Sequence, residues 1–266
     1  MAIKQWGLDR NMAFVIFEKD DNILRVSLNR KSVFNAVNTQ VLKELASGIK
    51  EHGGDSNIKA LMLFGQGGCF ASGADIKELT GLDEEGIRKF HRLREKTFSL
   101  LEKFPSPTFA AIEKYALGTG LELALCCDFR IAGDNAQLGV PSSKLGIVES
   151  YEYITRLVKA VGPFQTKKLI MSGERIDADT AFKIGLIEEI TPPDTLFERA
   201  ESLLANIVNN SGIAMRLSKK AVEVCTKDPN LFYVSDTAGL MVSSLRAEDF
   251  KEGTKAFLEK RNAKFK

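Results

Sequence analysis

Apolar positions along the chain fall into short patterned blocks separated by glycine, proline and polar turns. Residues 22–28 (NILRVSL) alternate apolar and polar, which is the period of a half-buried strand. Over 39–51, Val41, Leu42, Leu45 and Ile49 share one stripe, predicting an amphipathic helix that His52-Gly53-Gly54 stops. The dense run 58–64 (IKALMLF) predicts a strand covered on both faces, and 65–68 (GQGG) turns the chain. The same order recurs. A helix is predicted over 84–103, ended before Pro105-Ser106-Pro107, then a buried strand over 108–113 and a glycine turn at 118–120. An apolar helix at about 120–127 and a strand over 129–133 follow. Short strands alternating with helices argue for α/β architecture. The last third changes character: 153–172, 177–184, 195–208, 212–227, 229–245 and 248–261 all read as helices. The expected organisation is an α/β core over 1–195 and a helical region over 196–266, whose amphipathic end suggests packing on a neighbour such as another copy of the chain.

Composition narrows the function classes. With 44% hydrophobic and 27% charged residues among 266, the chain reads as globular, and its 37 basic against 35 acidic side chains lack the clustered basic excess of a nucleic-acid binder. No apolar run reaches the roughly 18 residues of a membrane span. The opening segment MAIKQWGLDRNMAF has no continuous apolar stretch of the leader-peptide kind, so a cytoplasmic location is expected. Cys69, Cys126, Cys127 and Cys225 show no CxxC or Cys/His spacing. They are expected to be small buried hydrophobes, and no metal site is expected.

Candidate chemistry lies in two turns. Cys69–Lys77 (CFASGADIK) follows the strand at 58–64 with small residues at 71–74, which let a ligand approach the backbone. Tyr115–Leu123 (YALGTGLEL) follows the strand at 108–113 and opens a helix, whose first N–H groups have no partner within it. Neither turn is a GxGxxG or GxxxxGK[ST] phosphate loop. Two such turns in one chain, with Glu122 just past the second, suit a pair of backbone donors aimed at a carbonyl whose oxygen becomes negative.

The segments FASGADIKEL and YALGTGLELALCCDFRIAGDNAQLGVP resemble the two signature segments of the crotonase (enoyl-CoA hydratase/isomerase) superfamily. The likeness extends to the Asn29–Val37 loop, to GERIDADTAFKIGLIEEI and to the KEGTKAFLEKR tail. It implies a spiral of ββα units followed by a helical trimerisation region, assembled as a homotrimer or a dimer of trimers. It also implies an acyl-CoA thioester substrate of the kind met in fatty acid metabolism, with coenzyme A as part of the substrate and no separate cofactor. By position, the oxyanion hole would be the N–H groups of Ala74 and Thr119, the latter standing where the family commonly has glycine. Coenzyme A would run past Ser32, Val33, Phe34 and Ala36 and past Ala71, Ser72, Asp75 and Ile76. Phe257 and Lys260 resemble residues that contact its nucleotide end, often across a subunit boundary.

The same resemblance exposes a departure. Family hydratases typically use two glutamates that hold a water and pass protons. Glu122 matches the first and is expected to point into the oxyanion pocket. Ser142 stands in place of the second, and a hydroxyl can only hydrogen-bond a water or a substrate oxygen. Where hydratases carry a glycine-rich stretch, this chain has Ile147–Thr155 (IVESYEYIT). Counted back from Val161-Gly162, Glu149 falls where 1,4-dihydroxynaphthoyl-CoA synthases of the superfamily carry a catalytic aspartate. Ser150 falls near the nucleophilic aspartate of 4-chlorobenzoyl-CoA dehalogenases. Glu122 and Glu149 are therefore read as a displaced acid–base pair, with Tyr151 and Tyr153 shaping the acyl pocket or donating a hydrogen bond. The opposing reading puts Glu149 and both tyrosines on an exposed junction. His91, in KFHRLREK on a helix that borders the acyl pocket in the family, is read as a surface histidine, with a general-acid role as the alternative; His52 is read as a surface histidine. The expected function is enoyl-CoA hydratase-type chemistry through an enolate. Alternatives are an acyl-CoA hydrolase, a decarboxylase, an enoyl-CoA isomerase or a catalytically weak acyl-CoA-binding paralogue.

Overall fold

The computed structural model describes residues 13–265. The segment 1–12, on which the leader-peptide expectation rested, lies outside the described residues. The chain opens with an antiparallel pair, β1 (Val15–Asp20) and β2 (Ile23–Leu28), and continues through α1 (Thr39–His52) to β3 (Ala60–Gly65). After α2 (Ile76–Leu79) and α3 (Glu84–Glu102) come β4 (Thr108–Ile112), β5 (Tyr115–Leu117), α4 (Thr119–Leu125), β6 (Phe129–Gly133) and β7 (Gln137–Gly139). Then follow α5 (Tyr151–Ser172), β8 (Arg175–Asp177), α6 (Ala178–Lys183), β9 (Glu189–Thr191) and the helices α7 (Leu196–Val208), α8 (Gly212–Lys227), α9 (Gly239–Leu245) and α10 (Glu248–Leu258). One sheet has the order β1-β2-β3-β4-β6-β9 and is parallel from β2 onward; the other has the order β5-β7-β8.

The apolar density of β3 and β4 follows from burial on two faces. Leu61, Leu63, Ala110 and Ile112 join the main core with Leu42, Leu45, Phe98 and Leu121. The alternate residues Ala60, Met62, Phe109 and Ala111 face Leu196, Ala200 and Leu204 of α7. This is the period of two that a strand imposes. The first helix of the 196–266 region, α7, thus closes the second face of the large sheet, and the helices beyond this layer begin at α8.

The helices that frame the site start at capped positions. Asn38 caps α1 by accepting from the Val41 N–H, Asp83 caps α3 from Gly86, and Ser150 caps α5 from Tyr153. Two predicted helices differ from expectation. The 153–172 segment begins at Tyr151 and is kinked at Gly162 (φ 73°, ψ 168°), beside Pro163, which has no N–H to donate. The 229–245 segment is helical only over Gly239–Leu245; Leu231 takes a left-handed φ of 56°, and 228–238 is a series of turns.

Candidate active site

The two glycine turns lie side by side. The Ala71 N–H donates to the Tyr115 carbonyl, and the Leu117 N–H donates to the Ala71 carbonyl. Gly120 makes this closeness possible: a Cβ there would stand 2.3 Å from the Ala71 carbonyl oxygen. Val37 takes up the flanks of the first turn, donating to Gly73 O and accepting from Asp75 N, so the Ala74 N–H points away from it. Thr119 is the first residue of α4, one turn short of an intrahelical acceptor. Among the described residues, neither amide donates to another protein group, and both Ala74 and Thr119 line one cavity of about 430 Å3.

The cavity has three walls. Ser72, Ala74 and Ile76 come from the first turn and Gly118 and Thr119 from the second; α3 supplies Ile87, Phe90, His91 and Arg94. The segment Pro141–Ser150 closes it with Ser142, Leu145, Ile147, Val148 and Glu149. That segment folds back on itself because the Ile147 N–H donates to the Ser142 carbonyl. It is tied to the second turn through Gly118 N–H to Gly139 O, 2.9 Å. Ser142 is buried, and its hydroxyl donates to Glu149 Oε1. Ser142 thus holds the Glu149 carboxylate, and both residues line the cavity.

Glu122 differs from expectation. Its side chain has no exposed surface and does not line the cavity. Oε1 accepts from Arg156 Nη1 at 2.8 Å, and Oε2 lies 3.4 Å from Arg94 Nε, with no hydrogen-bond partner of its own. Arg156 also pairs with Glu95 at 2.9 Å and Glu102 at 3.0 Å. The carboxyl therefore sits one layer back, behind Arg94, in a cluster that α3 and α5 build between them. Burial pushes it up from 4.5 to about 8, against the pull of Arg94 and Arg156.

The two tyrosines take different places. Tyr151 is 88% exposed and away from the cavity, whereas Tyr153 is fully buried. The Tyr153 hydroxyl donates to the Gly118 carbonyl at 2.8 Å. His91 lines the cavity rather than only the surface. His52 stacks on Phe17 and its Nδ1 lies 2.9 Å from the Gly48 carbonyl. Cys69, Cys126 and Cys127 are buried as expected; Cys225 is exposed.

Around the mouth, Ser72 donates from N–H and Oγ to the carbonyls of Phe34 and Val33, which sets the Ser32–Ala36 loop beside the first turn. Ser32, Val33 and Phe34 are exposed, while Ala36 and Ala71 are buried. Asp75 caps α2 and pairs with Arg30 at 2.9 Å. Lys114 lies over the Phe34 ring and Arg175 over Tyr115, a basic and aromatic grouping dispersed in sequence and marked by no motif. Phe257 lines a separate apolar cavity among the last helices with Phe250 and Phe265. Lys260 is exposed, and neither residue lines the cavity of Ala74 and Thr119 within one chain. Among the described residues no group of three metal-ligating side chains occurs, and no helix is long and apolar enough to cross a membrane.

A largely parallel sheet interleaved with helices, a cavity between two glycine turns and a following run of helices match the fold of crotonase-type proteins. The family model for enoyl-CoA hydratase/isomerase matches residues 18–266. A crotonyl-CoA hydratase of Syntrophomonas wolfei is 36% identical over 255 residues, 94% of this chain and 97% of its own length. A short-chain-enoyl-CoA hydratase of Clostridium acetobutylicum is 38% identical over 251 residues, covering 93% and 95%. The crystal structure of an enoyl-CoA hydratase from Bacillus anthracis superposes with a TM-score of 0.86 at 33% identity, over 95% of this chain and 99% of that one. The chain belongs to the enoyl-CoA hydratase/isomerase family of the crotonase superfamily.

Proposed function

We propose that this protein adds water reversibly across the α,β double bond of an enoyl-CoA thioester. The observation that carries this reading is the convergence on one cavity of the Ala74 and Thr119 amides and the Glu149 carboxylate, with Ser142 holding that carboxylate. The thioester oxygen is taken between the two N–H groups. Glu149 removes a proton from a water as its oxygen bonds to the β-carbon, and the double-bond electrons move onto the thioester oxygen as an enolate. The amides stabilise that charge. The proton on Glu149 then passes to the α-carbon as the thioester carbonyl re-forms, so one carboxyl group serves as base and acid in turn. Coenzyme A lies along Ser32–Ala36 and Ala71–Ile76, with Lys114 and Arg175 facing its phosphates. Phe257 and Lys260 complete the nucleotide end from a neighbouring copy in a trimer or dimer of trimers. The relatives named hydratases support this reading.

A second reading makes Glu122 the proton source for the α-carbon. Its raised pKa and its unpartnered Oε2 favour that role. The two readings separate on substitution. Turnover of crotonyl-CoA and longer trans-2-enoyl-CoAs, followed by loss of enoyl-thioester absorbance, is expected for the wild type. Glu149→Gln is expected to lower kcat about 100- to 10,000-fold, the range for a lost acid–base group. Unchanged turnover in that variant removes Glu149 from the mechanism and leaves Glu122. Binding without turnover on every enoyl-, 3-oxoacyl- and cyclic acyl-CoA overturns the enzymatic reading in favour of an acyl-CoA-binding role.

A further inference from the structure

We propose that Tyr153 is a positioning residue that locks the Gly118–Thr119 peptide with its N–H turned into the active-site cavity. The inference rests on the reading of the Thr119 amide as an oxyanion donor. The Gly118 carbonyl and the Thr119 N–H belong to one planar trans peptide and point in opposite directions. Whatever fixes the oxygen also aims the hydrogen. Tyr153 Oη donates to that oxygen at 2.8 Å, and the Glu122 N–H donates to it at 3.0 Å.

Restraint is needed at this peptide in particular. Gly118 stands at φ 49°, ψ −121°, a conformation open to glycine, and a Cβ there would meet nothing within 4 Å. No side chain of Gly118 resists rotation of the peptide that follows. The preceding peptide is pinned by Gly118 N–H to Gly139 O at 2.9 Å, so the pair of bonds at Gly139 and Tyr153 holds both sides of the glycine. A donor on an amide oxygen also polarises that amide and strengthens its N–H toward a developing negative charge.

The phenol arrives there through α5. The Ser150 hydroxyl caps the helix by accepting from the Tyr153 N–H at 3.2 Å and accepts from Arg94 Nη2 at 3.1 Å, joining the tyrosine's helix to the cavity wall. The Tyr153 ring is wholly buried in the main core and does not line the cavity, so it acts through the peptide and touches no substrate. Burial also pushes the phenol well above its usual range, with Glu149 and Glu122 adding to the shift, so the hydroxyl keeps the proton it donates.

The test is spectroscopic. An arylacryloyl-CoA with an electron-donating ring substituent absorbs to the red when its thioester carbonyl is polarised, whether or not it turns over. Bound to wild type, it is expected to show that shift. Tyr153→Phe keeps the ring and removes the donor. It is expected to lose a large part of the shift and to lower kcat about tenfold, the worth of one well-placed hydrogen bond, with KM nearly unchanged. Replacing Tyr153 by 3-fluorotyrosine, a more acidic phenol, is expected to extend the shift beyond wild type. A full wild-type shift in Tyr153→Phe overturns the proposal. Should that variant not fold, an unchanged shift with fluorotyrosine overturns it instead. No shift in the wild type itself refutes the oxyanion reading, and the role of Tyr153 falls with it.

Discussion

Arg156 Nη1 donates to Glu122 Oε1 at 2.8 Å, and both side chains are almost wholly removed from solvent. Removing one member of such a pair strands the other, which costs about 3–5 kcal/mol when the remaining group stays charged. Glu122 can escape part of that cost by taking a proton. Arg156→Met is therefore expected to destabilise the protein by roughly 3 kcal/mol at pH 9 and by less at pH 6. Adding Glu122→Gln should recover most of the loss at high pH. Urea midpoints of the single and double variants at the two pH values check this; equal losses at both pH values would show that Glu95 and Glu102, not Glu122, are the partners that matter.

The raised pKa of Glu122 makes a separate claim about pH. Its carboxyl titrates near 4.5 in the unfolded chain and near 8 when folded. Between those values the native state holds the extra proton. The associated stability is fully present below about 4.5 and is lost as pH rises through about 8. Glu122→Gln, which is neutral throughout, should flatten the fall in stability between pH 5 and 9. If Glu122 is also the proton source, the same substitution abolishes the alkaline limb of the kcat/KM profile. If it only orders Arg94 and Arg156, the limb stays in place.

Ser142 and Glu149 act as one unit in the proposed mechanism, which gives a cycle that can be measured. Ser142→Ala removes the donor that orients the carboxylate and should lower kcat about tenfold, the worth of one hydrogen bond to a charged group. In the Glu149→Gln background the same change should do far less, because the carboxylate it served is gone. Equal factors in both backgrounds would mean that Ser142 acts on the water or the substrate directly.

The parts of the site carried by local chain geometry were legible in the sequence, and those carried by long-range pairing were not. The turns bearing Ala74 and Thr119 show as small residues and glycines between a buried strand and a helix. Arg94 shows only as one more charge in KFHRLREK, since its partners Glu122 and Ser150 come from α4 and the α5 cap. Tyr151 and Tyr153 could be separated only once the helix start was known. With Ser150 as the cap, two residues lie about 200° apart around the axis, so one tyrosine enters the core and the other faces outward. The enclosure of Glu122 likewise depends on Arg156, which the sequence places in an unremarked Thr-Arg-Leu step of α5.

Gly120 offers the sharpest test of the paired turns. A methyl group at this position would lie 2.3 Å from the Ala71 carbonyl oxygen and 2.8 Å from the Ala71 Cβ. The oxygen is backbone, and it already accepts from the Leu117 N–H. The clash can be relieved only by moving α4 away from the first turn. That motion separates the Ala74 and Thr119 amides, which in the proposed mechanism both reach one oxygen at hydrogen-bond distance. Gly120→Ala is therefore expected to lose about 1–3 kcal/mol of stability, as overpacking does, and to lower kcat by about 100-fold or more, the effect of losing an oxyanion donor. Gly54→Ala, where a Cβ would meet nothing within 4 Å, serves as the control and should leave both quantities near wild type. If Gly120→Ala is folded and keeps wild-type turnover, the closeness of the two turns is not what the chemistry uses.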